Sequence, residues 1–99
     1  MNLQMTKPLK QGAVIGILGG GQLGRMLAVA ASRMGFRTHV FEPQENPPAS
    51  HVSDLVTTAA YEDTEALSKF ARSVDVITFE FENIPTEALN IVEAICNVL

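Results

Sequence analysis

A chain of 99 residues, 46% of them hydrophobic, can bury the core of one compact domain but not a second of comparable size. Its 11 acidic residues against 7 basic ones give a formal net charge of -4, and the basic residues are scattered along the chain, which argues against a nucleic-acid partner. No apolar run is long enough to span a membrane and the start lacks a signal-peptide core, while the single cysteine, Cys96, has no disulfide or metal partner, so a cytoplasmic protein is expected.

Residues 1–12 read as a flexible polar leader, and one domain is expected over 13–99. Val14-Ile15-Gly16-Ile17-Leu18 is a short apolar run between glycines, which suits a strand covered on both faces in a parallel sheet. Gly19-Gly20-Gly21 hands over to a helix whose apolar stripe reads as Leu23, Met26, Leu27, Ala30 and Met34, with Gly35 stopping it. A second strand covers Arg37 to Phe41 and ends at Glu42-Pro43; the proline-rich stretch Pro43 to Ser53 reads as a surface loop.

Asp54 to Thr58 is a short third strand, and Asp63 or Thr64 caps a helix with Ala66, Leu67, Phe70 and Ala71 on one face. Val74 to Phe81 is a fourth strand, Pro85 suits the first turn of a last helix, and Ala88, Leu89, Val92 and Ile95 form its buried stripe. Strands alternating with helices in this way predict an α/β fold, a Rossmann-like three-layer open and mostly parallel sheet. The strand beginning near Val14 should be central, flanked by the second and fourth. The chain stops where another strand is expected, which reads as a fragment of something longer.

Gly19-Gly20-Gly21-Gln22-Leu23-Gly24 satisfies G-x-G-x-x-G between a strand and a helix, where the pattern has physical meaning. The glycines allow a tight turn, close approach of a ligand and close helix packing, and the helix start favours an anion or another hydrogen-bond acceptor. Glu42, about 20 residues further on, formally completes a dinucleotide fingerprint. An NAD(P)-binding domain of an oxidoreductase is therefore the alternative enzyme, with Glu42 as its ribose ligand.

Beyond its glycines, the string Gly19-Gly20-Gly21-Gln22-Leu23-Gly24-Arg25-Met26 resembles the opening of the 5-(carboxyamino)imidazole ribonucleotide synthases, members of the ATP-grasp superfamily. Glu42-Pro43, Pro48-Ala49 and Val52-Ser53-Asp54 resemble that family's second motif, and Phe79-Glu80-Phe81-Glu82-Asn83-Ile84 its acidic signature. The resemblance implies a pre-ATP-grasp domain that binds no dinucleotide and supplies one wall of the acceptor pocket. It implies a full-length ligase that joins bicarbonate to the exocyclic amine of 5-aminoimidazole ribonucleotide in purine biosynthesis, cleaving ATP to ADP and phosphate by way of carboxyphosphate. ATP and Mg2+ would be bound by domains not in this chain, the chain alone would be inactive, and the full-length enzyme would be a homodimer.

By the same resemblance, Gly21, Gln22 and Leu23 border the substrate, with the side chain of Leu23 in the core and its N–H at the pocket. Glu80, at the carboxyl end of a strand, can accept hydrogen bonds from ribose hydroxyls or the substrate amine; Glu82 and Asn83 are further candidates, Asn83 also suiting a turn or cap before Pro85. Arg25 is either a solvated charge or the ion-pair partner of Glu80 or Glu82. Glu42 would only anchor the loop. No catalytic group, cofactor ligand or metal site is assigned to this chain, and His39 and His51 lack paired ligands. A non-enzymatic ribonucleotide-binding module is the remaining alternative, distinguished only by the sequence downstream of Leu99.

Overall fold

A computed structural model describes residues 9–79 and 84–99. In chain order the elements are β1 (Val14–Leu18), α1 (Gln22–Arg33), β2 (Arg37–Glu42), a 3-10 turn (Pro48–His51), β3 (Leu55–Thr58), α2 (Thr64–Arg72), β4 (Val76–Phe79) and α3 (Thr86–Glu93). The strands form one sheet of order β3-β2-β1-β4, parallel at every pairing. As expected, β1 is central between β2 and β4. The chain builds outward from β1 to β3 and then returns to the other side of β1, which creates a switch point at the carboxyl ends of β1 and β4.

Strand alternation divides the core in two. Ile17 and Val40 meet Ala28 of α1 and Ala49 on one face, with Ile15, Leu27 and Val52 beside them. Leu18, Phe41 and Ile77 meet Leu67, Phe70, Ala71, Ala88 and Val92 of α2 and α3 on the other. The central strand is thus covered on both sides, which is why its sequence is a continuous apolar run rather than an alternating one. Gly16 lies on the α2 side, where a Cβ would stand 2.9 Å from both Phe70 Cζ and Val74 Cγ2. Its lack of a side chain lets α2 sit close to the sheet.

Local signals act as the sequence suggests at several boundaries. Asp63 caps α2, accepting the Ala66 N–H at 3.0 Å on Oδ1. Gly35, at φ 88°, ends α1 with Phe36 N–H donating to Ala31 O and Gly35 N–H to Ser32 O, the paired bonds of a Schellman motif. At the other end of the sheet, Asp75 and Val14 exchange two bonds of 2.8 Å, Asp75 N–H to Val14 O and Val14 N–H to Asp75 Oδ2. They fix the start of β1 beside that of β4. Along the open edge of β4, Ile77 N–H donates to Asn97 O and Leu99 N–H to Ile77 O, so Val98 forms a parallel bridge with Ile77.

The structure corrects the buried face of α1. Gly24, Ala28 and Ala31 face inward, whereas Leu23, Met26 and Met34 are 44%, 67% and 63% exposed. Both sets have helical spacing, but only the small residues allow the close approach of α1 to β1, β2 and Ala49. Val74 and Asp75 precede β4, with Asp75 spent on the clamp just described. The third strand starts at Leu55, because the carboxylate of Asp54 turns back to accept the Thr38 N–H at 2.8 Å. Pro85 is the N-cap of α3 rather than part of its first turn, and α3 ends at Glu93, leaving Ile95 beyond the helix and 40% exposed.

The end of the expected leader is also tied down. Gly12 N–H donates to Gly35 O at 3.0 Å, and Gln11 Nε2 to Met34 O at 3.3 Å. The rest of the leader, residues 1–8, lies outside the described residues.

Candidate functional site

The glycine turn is built from three successive attachments to β2 and the loop after it. Gly19, at φ 102°, donates its N–H to Phe41 O at 2.9 Å, continuing the β1–β2 ladder into a turn that a side chain would strain. Gly20 donates its N–H to Glu42 Oε1 at 2.8 Å and accepts Ala49 N–H on its carbonyl at 2.9 Å. A Cβ on Gly20 would stand 2.9 Å from Pro47 Cγ, so Pro47 roofs this residue. The second carboxylate oxygen, Glu42 Oε2, accepts the Gln44 N–H at 3.0 Å.

Gly21 is the N-cap of α1 and makes no side-chain cap hydrogen bond, and a helix start of this kind suits an acceptor. Gln22 and Leu23 come next, both exposed. The side chain of Leu23 therefore points away from the core, contrary to the sequence expectation, because the inward positions of this turn belong to Gly24. Gln22 lines a shallow depression of about 340 Å³ with Arg25, Met26, Val29, Ala30 and Arg33. Its amide, with a donor and an acceptor, and the Arg25 guanidinium bring polar groups to this depression.

Leu18 pairs with Phe79 across β1 and β4, and with Phe41 across β1 and β2. The carboxyl ends of three strands thus lie side by side, with the glycine turn leaving the central one. Glu80, Glu82 and Asn83 lie outside the described residues, and so does the choice between a solvated Arg25 and its ion pair with either acid.

Other chemically capable side chains have structural partners. His39 is buried, edge-on to Phe70, with Nδ1 3.1 Å from Ser73 Oγ and Nε2 2.7 Å from Thr57 Oγ1. Ser73 Oγ–H donates to Phe70 O at 2.7 Å, so it receives the Nδ1–H, and Thr57 donates to Nε2. That arrangement holds a neutral imidazole, and burial lowers the His39 pKa. Cys96 Sγ–H donates to Val74 O at 3.7 Å, and burial is the main cause that raises its pKa. Among the described residues, no group of three His, Cys, Asp or Glu side chains is placed to hold a metal ion, and no helix is long and apolar enough to cross a membrane.

Glu42 is an anchor in this geometry: each of its oxygens is bonded to a backbone N–H. The sequence reading missed Pro47 and named Ala49 only as part of a motif. It takes them as surface loop, yet both are buried against the glycine turn. The apolar Pro47-Pro48-Ala49 core of an otherwise polar stretch is the signal that could have marked them.

Sheet order and glycine turn define a Rossmann-like α/β domain with its switch point at the carboxyl ends of β1 and β4. The ribonucleotide synthetase preATP-grasp domain signature matches residues 13–99, and the chain belongs to that family. It is 55% identical over 80 residues to the N5-carboxyaminoimidazole ribonucleotide synthase of Brucella melitensis, covering 81% of this chain and 22% of that protein. A crystal structure of the ADP complex of N5-carboxyaminoimidazole ribonucleotide synthetase superposes with a TM-score of 0.88 at 42% identity, over 95% of this chain and 25% of that one. The Aspergillus clavatus synthase, crystallised with ADP and 5-aminoimidazole ribonucleotide, gives a TM-score of 0.76 at 36% identity over 89% of this chain and 24% of that one. The chain thus spans about a quarter of the length of these relatives.

Proposed function

We propose that this chain is the N-terminal domain of a cytoplasmic ATP-dependent ligase that carboxylates 5-aminoimidazole ribonucleotide with bicarbonate in purine biosynthesis, and that it forms one wall of the acceptor-substrate pocket. The observation that carries the reading is the pairing of Leu18 with Phe79, which brings the ends of β1 and β4 to one edge. Two sequence motifs of the family begin at those two strand ends. A relative of the same fold, 36% identical, has been crystallised with ADP and 5-aminoimidazole ribonucleotide.

In this reading the start of α1 at Gly21, with the N–H of Leu23 and the side-chain amide of Gln22, meets the ribonucleotide. Glu80, with Glu82 and Asn83 as further contacts, accepts hydrogen bonds from its hydroxyls or amine. Holding the amine by a carboxylate orients its lone pair toward the incoming carboxyl carbon; as the nitrogen–carbon bond forms, phosphate departs and the nitrogen loses a proton. ATP and Mg2+ are assigned to domains beyond this one, where the ion supplies charge neutralisation for phosphoryl transfer. The complete enzyme is taken to be a homodimer. The engagement of both Glu42 oxygens by backbone N–H groups weighs against the dinucleotide alternative.

A domain exchange tests the assignment. Replacing the matching N-terminal quarter of the Brucella melitensis synthase with this chain should give an enzyme whose ATP hydrolysis requires both 5-aminoimidazole ribonucleotide and bicarbonate. A folded exchange protein that hydrolyses ATP without responding to the ribonucleotide would contradict it.

A further inference from the structure

In a dinucleotide fold the acid after the second strand is kept free for a ribose diol, and the turn beneath it stays open to the ligand. Here that acid is bonded to the chain's own backbone. Glu42 Oε1 takes the Gly20 N–H at 2.8 Å, Oε2 takes the Gln44 N–H at 3.0 Å, Ala49 N–H closes on Gly20 O at 2.9 Å, and Pro47 packs where a Gly20 side chain would be. Both backbone hydrogen-bonding groups of Gly20 are therefore satisfied from within the chain, by a segment that is itself held by the same carboxylate. The next residues, Gly21 and Gln22, open α1 without a side-chain cap.

We propose that Glu42 is a positioning and specificity-determining residue, a built-in anion that latches the glycine turn. The latch has two effects. It aims both carboxylate oxygens at backbone N–H groups and roofs Gly20 with Pro47, which disfavours an adenosine ribose at this acid. It also fixes the peptide before Gly21, so that the start of α1 is presented to a smaller ligand in one orientation and that ligand loses no affinity to ordering the turn. The latch itself rests on the glycine-turn geometry; only its consequence for ribonucleotide binding rests on the proposed function.

Chemical rescue tests it. In the chain labelled with 15N-glycine, the Gly20 amide proton should resonate downfield, as expected for a donor to a carboxylate, and should not respond to added formate. In Glu42→Ala the resonance should move upfield and return toward its original position as formate is titrated into the space left by the carboxylate. Glu42→Gln, which keeps the shape if the alanine variant does not fold, should show the upfield move. A Gly20 resonance unchanged by either substitution, or one that in folded Glu42→Ala ignores formate, would overturn the latch. In the complete ligase, Glu42→Ala should raise the KM for 5-aminoimidazole ribonucleotide about tenfold, the effect of losing one charged hydrogen bond's worth of ordering, with the KM for ATP unchanged and formate reversing the loss. A wild-type enzyme that does not use the ribonucleotide would sink the proposed function while the Gly20 resonance still decides the latch; a raised ATP KM, or a loss of kcat alone, would count against the latch as a determinant of substrate binding.

Discussion

Leu18 and Phe79 are partners in adjacent parallel strands, each the last residue of its strand. Because β1 and β4 are separated in sequence by α1, β2, β3 and α2, this one register brings together two segments that lie far apart along the chain. The glycine turn leaves the first of them directly. That pairing sets the two strand ends side by side at the edge of the proposed pocket.

The corrected face of α1 makes a direct prediction about stability. Met26→Ala should change unfolding free energy by no more than about 0.5 kcal/mol, as for an exposed site, whereas Ala28→Leu should cost about 1–3 kcal/mol by overpacking the interface with Val40 and Ala49. Urea titration of the two variants distinguishes the faces. A large loss for Met26→Ala with none for Ala28→Leu would restore the stripe read from sequence.

Gly16→Ala should be destabilising by about 1–3 kcal/mol, since the new methyl would press on the Phe70 ring and the Val74 side chain from a strand fixed on both sides. Thermal unfolding reads the effect. A neutral or stabilising alanine would show that α2 can move away from the sheet at little cost.

Burial holds the folded pKa of His39 below its ordinary value of 6.5. As pH falls, the unfolded chain takes up this proton first, so the contribution of neutral His39 to stability is present above about 6.5 and is lost as pH drops through the lower folded value. Protonation would also place a hydrogen on Nε2, facing the hydroxyl that Thr57 now donates. Unfolding free energy measured between about pH 7 and pH 5 should therefore decline more in the wild type than in His39→Gln. Equal slopes would assign the decline to other groups.

Much of this fold is legible in the sequence because its strands and stops are set locally. The apolar run Val14 to Leu18, the glycine turn and the helix stop at Gly35 each depend on neighbours a few residues away, and the strand order comes from how α/β units connect. The face of α1 was not legible. Small and large apolar residues share the helical period there, and the choice between them is made by how close α1 comes to Ala49, a contact between distant parts of the chain. The site divides the same way: the glycine turn could be recognised from its spacing and Glu42 as a loop anchor from the family resemblance, but the backbone groups that Glu42 holds and the burial of Pro47 arise from the folding-back of a loop whose composition reads as surface.

Steady-state kinetics of Glu80→Gln in the complete enzyme, with each substrate varied in turn, test the central claim that this domain holds the ribonucleotide. The substitution keeps the side-chain shape while removing a charge proposed to accept hydrogen bonds from the substrate, an interaction worth about 1.5–3 kcal/mol. The account predicts that kcat/KM for 5-aminoimidazole ribonucleotide falls by roughly one to two powers of ten while the KM for ATP stays within error of the wild type. A variant that loses ATP affinity and keeps normal ribonucleotide kinetics would contradict it.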